Sequence, residues 1–283
     1  MNQQTSSIIE LRKFHNWIKK SLIHESVEML REKGFNKISL LDLATGKAGD
    51  LHKWVNAGID VVYGVDCDED ALFGTNGALN RLLNMKNYYR SKGIKYPFVR
   101  FGNIDLSKKN SLEEINKFTN NKKFELITCN FAVHYFYETD EMFSNFMSIV
   151  GHLLKPGGIF IGTSINGKEV IKILKGKDKV SKRFISIKSE FTKKLETNFG
   201  NKYIISIGDK DDNHYFTEKD SEEYLVMEEE IIKYAKVNDM KYICKIPFNE
   251  WYKLYLNETY DKITKDEKDA SFLNMTFYLE KNN

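Results

Sequence analysis

Apolar residues in this chain recur in two rhythms. Over residues 8–32, IIELRKFHNWIKKSLIHESVEMLRE, the positions Leu11, Phe14, Ile18, Leu22 and Ile23 fall at helical spacing and predict an amphipathic helix. Short apolar runs follow, each ending in a polar turn. They predict strands at 38–44, 60–65, 97–102 (opened by Pro97) and 124–130, with a helix near 111–119 between the last two. A helix from about 139 to 153 stops at Lys155-Pro156-Gly157-Gly158. Proline withholds a backbone donor and the glycines let the chain turn, so Ile159–Thr163 becomes a fifth strand.

The rhythm changes at residue 166. The segments FISIKS, KYIISIGD and HYFT alternate apolar and polar residues, which predicts a small antiparallel insert over 166–218. Nine basic residues between Lys172 and Lys194 read most simply as its solvated face. A helix is expected over 220–237. Runs at 241–247 and 272–279 then make a last pair of strands, in keeping with an antiparallel hairpin at the sheet edge. The fold class is therefore α/β: one domain over 1–283, a mostly parallel seven-stranded sheet with an antiparallel last strand, and an inserted subdomain. The polar start, MNQQTSS (1–7), is expected to be disordered.

Composition narrows the function. The chain has 283 residues, 41% hydrophobic and 13% aromatic, enough for a sizeable core. Forty-three Lys and Arg against 40 Asp and Glu leave a formal charge of +3, so an anionic partner must be met by a local basic patch. Cys67, Cys129 and Cys244 are scattered, with no C-x-x-C spacing, which points to neither a metal site nor a disulfide framework. No apolar stretch approaches a membrane span and no signal-peptide pattern opens the chain, so an intracellular protein without a membrane partner is expected.

Candidate chemistry centres on LLDLATGKAGDLHKW, residues 40–54. A buried strand runs into a loop holding Gly46 and Gly49, and a helix opens near Asp50. Glycine at 46 lets the backbone approach a ligand closely. The second strand, Val61–Val65, ends in Asp66, twenty positions after Gly46, where an α/β sheet places a carboxylate against ribose hydroxyls. Ala44 stands where a dinucleotide fingerprint needs its first glycine. A nucleoside without a pyrophosphate fits better, and S-adenosylmethionine (SAM) is such a cofactor.

Taken together, four stretches make the chain resemble the mRNA cap guanine-N7 methyltransferases, nearest the domain in capping enzymes of large cytoplasmic DNA viruses. FHNWIKKSLI (14–23) is similar to the family's N-N-[FW]-[IL]-K segment. LDLATGKAGDLHKW (41–54) is similar to L-D-L-G-C-G-K-G-G-D-L-x-K-[WY], with Ala44, Thr45 and Ala48 as departures. YGVDCDEDAL (63–72) resembles the Y-x-G-x-D ribose motif, and CNFAVHYFYET (129–139) resembles C-Q-F-x-x-H-Y-x-F-E. The L-x-P-G-G turn before the fifth strand is common in SAM-dependent methyltransferases and implies their Rossmann-like fold.

The resemblance implies a viral mRNA-capping transferase that methylates N7 of the terminal guanine of GpppN-RNA and releases S-adenosylhomocysteine. Lys19 would pair with the SAM carboxylate, Gly46 would line its methionine portion, Asp50 would meet its amino group and Asp66 its ribose. Either Asn103 or Asp105 would contact adenine, and Asn130 would reach the cofactor's edge. Phe131, His134, Tyr135 and Glu223 would line the cap guanine pocket. Asn274 stands where the family has a tyrosine, so Tyr278 or Phe272 is expected to compensate, and Ile165 replaces a proline. Lys47, Lys53 and Arg81 would face the cap phosphates. No proton-transfer residue and no metal are expected. Implied partners are the capped RNA 5′ end and other capping domains or a stimulatory subunit. The implied location is a host-cytoplasmic viral factory or the virion, or the nucleus for a cellular enzyme.

Each residue also has a plainer reading. Glu223 sits in an acidic run that suits a solvated helix face, Phe131 and Tyr135 suit core packing, and His134 suits a structural role. Two further functions stay open on the residues alone: a methyltransferase for a small molecule or protein side chain, and a silent SAM-fold subunit. The cap reading requires Asp66 and Glu223 to open onto one shared cavity.

Overall fold

A computed structural model describes residues 8–192, 194–208, 215 and 220–283. The stretch 1–7 and all of HYFT except Tyr215 lie outside the described residues. In chain order the elements begin α1 (Ile8–Glu32), β1 (Ser39–Leu43), α2 (Leu51–Asn56), β2 (Val61–Asp66), α3 (Glu69–Phe73), α4 (Ala78–Ser91), β3 (Phe98–Asn103), α5 (Ser111–Thr119) and β4 (Phe124–Asn130). A 3-10 turn, Val133–Glu138, leads into α6 (Asp140–Leu153) and β5 (Leu154–Ile165). The insert follows as α7 (Gly167–Leu174), β6 (Lys179–Ser181), β7 (Ile185–Ser189), β8 (Lys202–Ile207) and β9 (Ser221–Tyr224). The chain finishes with α8 (Glu228–Val237), β10 (Met240–Pro247), α9 (Phe248–Thr259), α10 (Lys265–Ser271) and β11 (Asn274–Lys281).

The main sheet has seven strands in the order β3-β2-β1-β4-β5-β11-β10, with β11 antiparallel to both neighbours. All five residues of β1 are buried, as expected for a parallel strand covered on both faces. One face packs on the apolar stripe of α1, with Phe14, Ile18 and Leu22 meeting Trp54 of α2 and Trp251 of α9. The other face packs on α5, α6 and the insert through Phe143, Phe146, Phe160 and Phe277. At the β4–β5 contact no side chain fits: a Cβ on Gly162 would fall 2.3 Å from the Cys129 carbonyl oxygen. Strand order reverses direction between β1 and β4, and at such a switch point the carboxyl ends of the strands leave a crevice for ligands.

Three local expectations are corrected. The helix expected over 220–237 begins only at Glu228, because Ser221–Tyr224 pairs antiparallel with β8 and completes the insert's four-stranded sheet β6-β7-β8-β9. The fifth strand starts at Leu154, so its pairing with β4 takes in the Pro-Gly-Gly turn. The last two strands do pair antiparallel at the sheet edge, but not as a hairpin: α9 and α10 lie between them in the chain, and Phe248 and Trp251 of α9 are buried in the core.

Candidate active site

The loop after β1 carries three left-handed residues, Ala44 (φ 56), Gly46 (φ 51) and Ala48 (φ 51). Alanine adopts this conformation at about 1–2 kcal/mol each, so tertiary contacts must hold the loop in place. Two contacts do so. The Gly46 amide donates to Asp66 Oδ2 at 2.7 Å, and the Thr45 hydroxyl donates to Asp42 Oδ2 at 2.6 Å. The Thr128 hydroxyl of β4 donates to the other Asp42 oxygen. No atom lies within 4 Å of where a Gly46 Cβ would sit, so the loop's outer side is open to a ligand.

Burial, reinforced by the nearby charge of Asp50, pushes the Asp42 carboxyl up to about 7 from its ordinary 3.8. Between pH 4 and 7 the unfolded chain has released this proton while the fold retains it. Asp42 therefore contributes stability that is fully present below about pH 4 and is lost as pH rises to about 7. Buried His15 and His134, with lowered pKa values, slope the opposite way, so the measurable quantity is a difference. Denaturant unfolding of wild type and Asp42→Asn at several pH values should show wild type losing ground to the variant from pH 4 to 7. A constant difference would contradict this titration.

Above the loop lies a cavity of about 650 Å³, in the range of small-molecule sites. Gly46, Asp66, Asp105, Asn130, Phe131 and Tyr135 contribute to its walls. The Asp66 Oδ1 atom accepts from the Asp68 amide at 2.9 Å, which fixes the carboxylate at the tip of β2. Of the two adenine candidates, Asp105 lines the cavity, whereas the Asn103 side chain donates to the Asp66 carbonyl and stands outside its wall. Asn130 reaches from the cavity to Asp50, donating to Oδ2 at 3.3 Å.

Asp50 is buried with two cations. Lys19 Nζ lies 2.7 Å and Lys53 Nζ 2.8 Å from its Oδ1. Burial alone would raise this carboxyl, but the two ammonium groups hold it down at about 2. The cluster carries one net positive charge and sits behind Asn130. Lys53 also donates to Asn16 Oδ1 and the Gly49 carbonyl, so its expected role on the cap phosphates is not supported by its placement. Lys47 is exposed on the loop, and Arg81 is exposed beside a groove between α2 and α4.

A second, smaller cavity of about 140 Å³ shares the walls Phe131 and Tyr135 with the first. Phe131 holds a left-handed backbone (φ 55), with its amide donating to the Thr163 carbonyl at 2.8 Å. Such an outlier persists only where its surroundings enforce it, and here it turns the ring between the two cavities. Glu223 is buried on β9 and accepts from the Tyr203 hydroxyl at 2.7 Å. His134 Nδ1 lies 3.9 Å from Glu223 Oε2, and neither ring nitrogen has a hydrogen-bond partner among the described residues. Burial lowers the His134 pKa, with Glu223 opposing, so the ring is neutral and offers one donor and one acceptor. Asn274 also lines this cavity, its amide turned away to donate to the Ser271 carbonyl at 2.9 Å.

Asp66 and Glu223 thus open onto adjoining cavities with a common wall. The expected substitutes for a last-strand tyrosine are corrected: Tyr278 donates to Glu25 and Phe272 packs on Tyr252. Two residues not singled out in the sequence, His15 and Tyr215, do line the small cavity. His15 lay in the quoted FHNWIKK run. Its role as a wall shows only once α1 packs against α9, α10 and the end of β4.

A family model described as an mRNA (guanine-N(7))-methyltransferase domain matches residues 1–282. The chain is similar to a probable mRNA-capping enzyme of Acanthamoeba polyphaga mimivirus, 29% identical over 64% of this chain and 16% of that protein. It is 31% identical to an mRNA cap guanine-N(7) methyltransferase of Caenorhabditis elegans over 60% of this chain and 42% of that one. The chain therefore spans less than half the length of these curated relatives. A SAM-dependent methyltransferase structure from Clostridium acetobutylicum superposes over 91% of both chains with a TM-score of 0.51 and 19% identity, which establishes the fold.

Proposed function

Because this chain belongs to the mRNA (guanine-N(7))-methyltransferase family, we propose that it methylates N7 of the terminal guanine of capped RNA, with SAM in the larger cavity and guanine in the smaller. The observation that carries this reading is the placement of buried Glu223 beside a buried, neutral His134 whose ring nitrogens have no hydrogen-bond partner among the described residues, both lining the smaller cavity. Along one edge guanine presents an O6 acceptor, then N1–H and amino donors. An imidazole donor beside a carboxylate acceptor is complementary to that sequence, and adenine inverts it. Phe131 and Tyr135 offer faces on which a base stacks.

When bound, SAM supplies a methyl group already activated by its sulfonium. The N7 lone pair is free at neutral pH, so its attack requires no proton removal. The chain's contribution is alignment, and positioning of this kind can lower a barrier by about 7–11 kcal/mol. Asp66 would accept from the ribose hydroxyls, and Asp105 would face the adenine. Lys19 and Asp50 would exchange their mutual pair for the carboxylate and ammonium of the methionine end. Phe131 and Tyr135, common to both cavities, would set the approach of donor to acceptor. Lys47 and Arg81 are the exposed cations proposed for the cap phosphates.

Among the described residues no helix is long and apolar enough to cross a membrane, and no group of three or more His, Cys, Asp or Glu could hold a metal ion. The mimivirus relative, a probable mRNA-capping enzyme of which this chain covers 16%, supports a setting beside other capping domains. S-adenosylhomocysteine would be the released product. Incubation with methyl-labelled SAM and GpppA-ended RNA should place label on guanine N7. Label on another acceptor would favour a different methyltransferase, and calorimetry showing no SAM binding would favour a silent subunit.

A further inference from the structure

We propose that Tyr215, brought in by the insert and oriented by His15, is the aromatic wall of the purine cavity that the last sheet strand does not supply. This rests on the reading of the smaller cavity as the guanine site. The strand β11 begins at Asn274, a short amide whose nitrogen is occupied by Ser271, so that side of the cavity has no ring from the main sheet. Tyr215 lines the cavity and is half-buried. Its backbone is held by two bonds, its amide donating to the Ile207 carbonyl at 2.9 Å and its carbonyl accepting from Arg12 at 2.8 Å.

His15 sets the ring's orientation. Its Nδ1 bonds the Tyr215 hydroxyl at 2.8 Å and its Nε2 bonds the Ser271 hydroxyl at 2.9 Å. The imidazole also stacks on Phe131, with centroids 5.4 Å apart and planes at 21°. Phe131, His15 and Tyr215 therefore form a continuous aromatic lining that joins α1, the end of β4 and the insert. With both ring nitrogens engaged and the ring neutral, His15 is a positioning residue. Contact with the base is left to Tyr215 and Phe131. The insert would then contribute two residues to recognition, Glu223 for the base edge and Tyr215 for its surroundings.

The test measures steady-state kinetics on GpppA-ended RNA and calorimetric binding of GpppG and SAM to the full chain. Tyr215→Ala should raise KM for the capped RNA and weaken GpppG binding by about tenfold, the scale of one lost aromatic–base contact. Its kcat should fall less, and SAM affinity should hold within about twofold. Tyr215→Phe keeps the ring and should stay within about threefold of wild type in GpppG affinity. Unchanged KM and GpppG affinity in a folded Tyr215→Ala protein would overturn the inference while wild-type N7 methylation stood. Wild type that binds GpppG through Tyr215 but methylates elsewhere would instead remove the functional reading and leave this one intact.

Discussion

Glu223→Gln should lower kcat/KM for GpppA-ended RNA by roughly 30- to 1000-fold, equivalent to about 2–4 kcal/mol, while SAM affinity is preserved. The size follows from what a buried carboxylate does at a base edge. Glu223 is buried on β9, with one oxygen already accepting from Tyr203. Glutamine keeps the volume and can keep that bond. It removes the charge, however, and presents an amide N–H to a base edge that itself donates. Of the two contacts to the guanine donors, one is weakened and the other becomes repulsive, at a buried side chain. Kinetics on capped RNA and calorimetry with SAM separate the effects. A loss below about threefold would mean that the guanine edge is recognised elsewhere.

The second large effect is expected at Asp66. Asp66→Ala should weaken SAM binding by about 30-fold or more, because hydrogen bonds to a charged acceptor contribute roughly 1.5–3 kcal/mol each. Part of the loss would come from the protein itself. The Asp66 carboxylate also accepts from the Gly46 amide at 2.7 Å and so helps hold a loop with two strained alanines. Asp66→Asn should fall between the two, since its carbonyl oxygen can still accept from Gly46. Calorimetric titration of SAM into each protein measures this. Near-wild-type affinity in a folded alanine variant would remove Asp66 from the cofactor site.

Much of this arrangement is legible along the chain, for identifiable reasons. Parallel strands such as Leu40–Leu43, interrupted only by Asp42, and Val61–Val65 are apolar runs with Gly46 and Asp66 at their ends, so both strand and ligand end can be read locally. Glu223 is legible as a residue but not as a strand residue. The glutamates at 228–230 make the preceding segment look helical, and only pairing with Lys202–Ile205 of β8 makes it extended. Asn103 and Asp105 are equivalent in sequence and separate only when Asn103 turns to the Asp66 carbonyl. Lys53 looks like a solvated cation until Asp50 and Asn16 enclose it. The His15–Tyr215 contact joins residues two hundred positions apart, and nothing local signals it.

The wall formed by Phe131 and Tyr135 makes donor and acceptor sites neighbours that touch the same two rings. Whatever the first occupant does to those rings alters the free energy of admitting the second. By linkage, the factor by which one occupant changes the other's affinity must hold in both directions. If a methylated guanine displaces the Phe131 ring and so loosens the spent cofactor, the spent cofactor loosens the methylated guanine by the same factor, and each product's presence promotes release of the other.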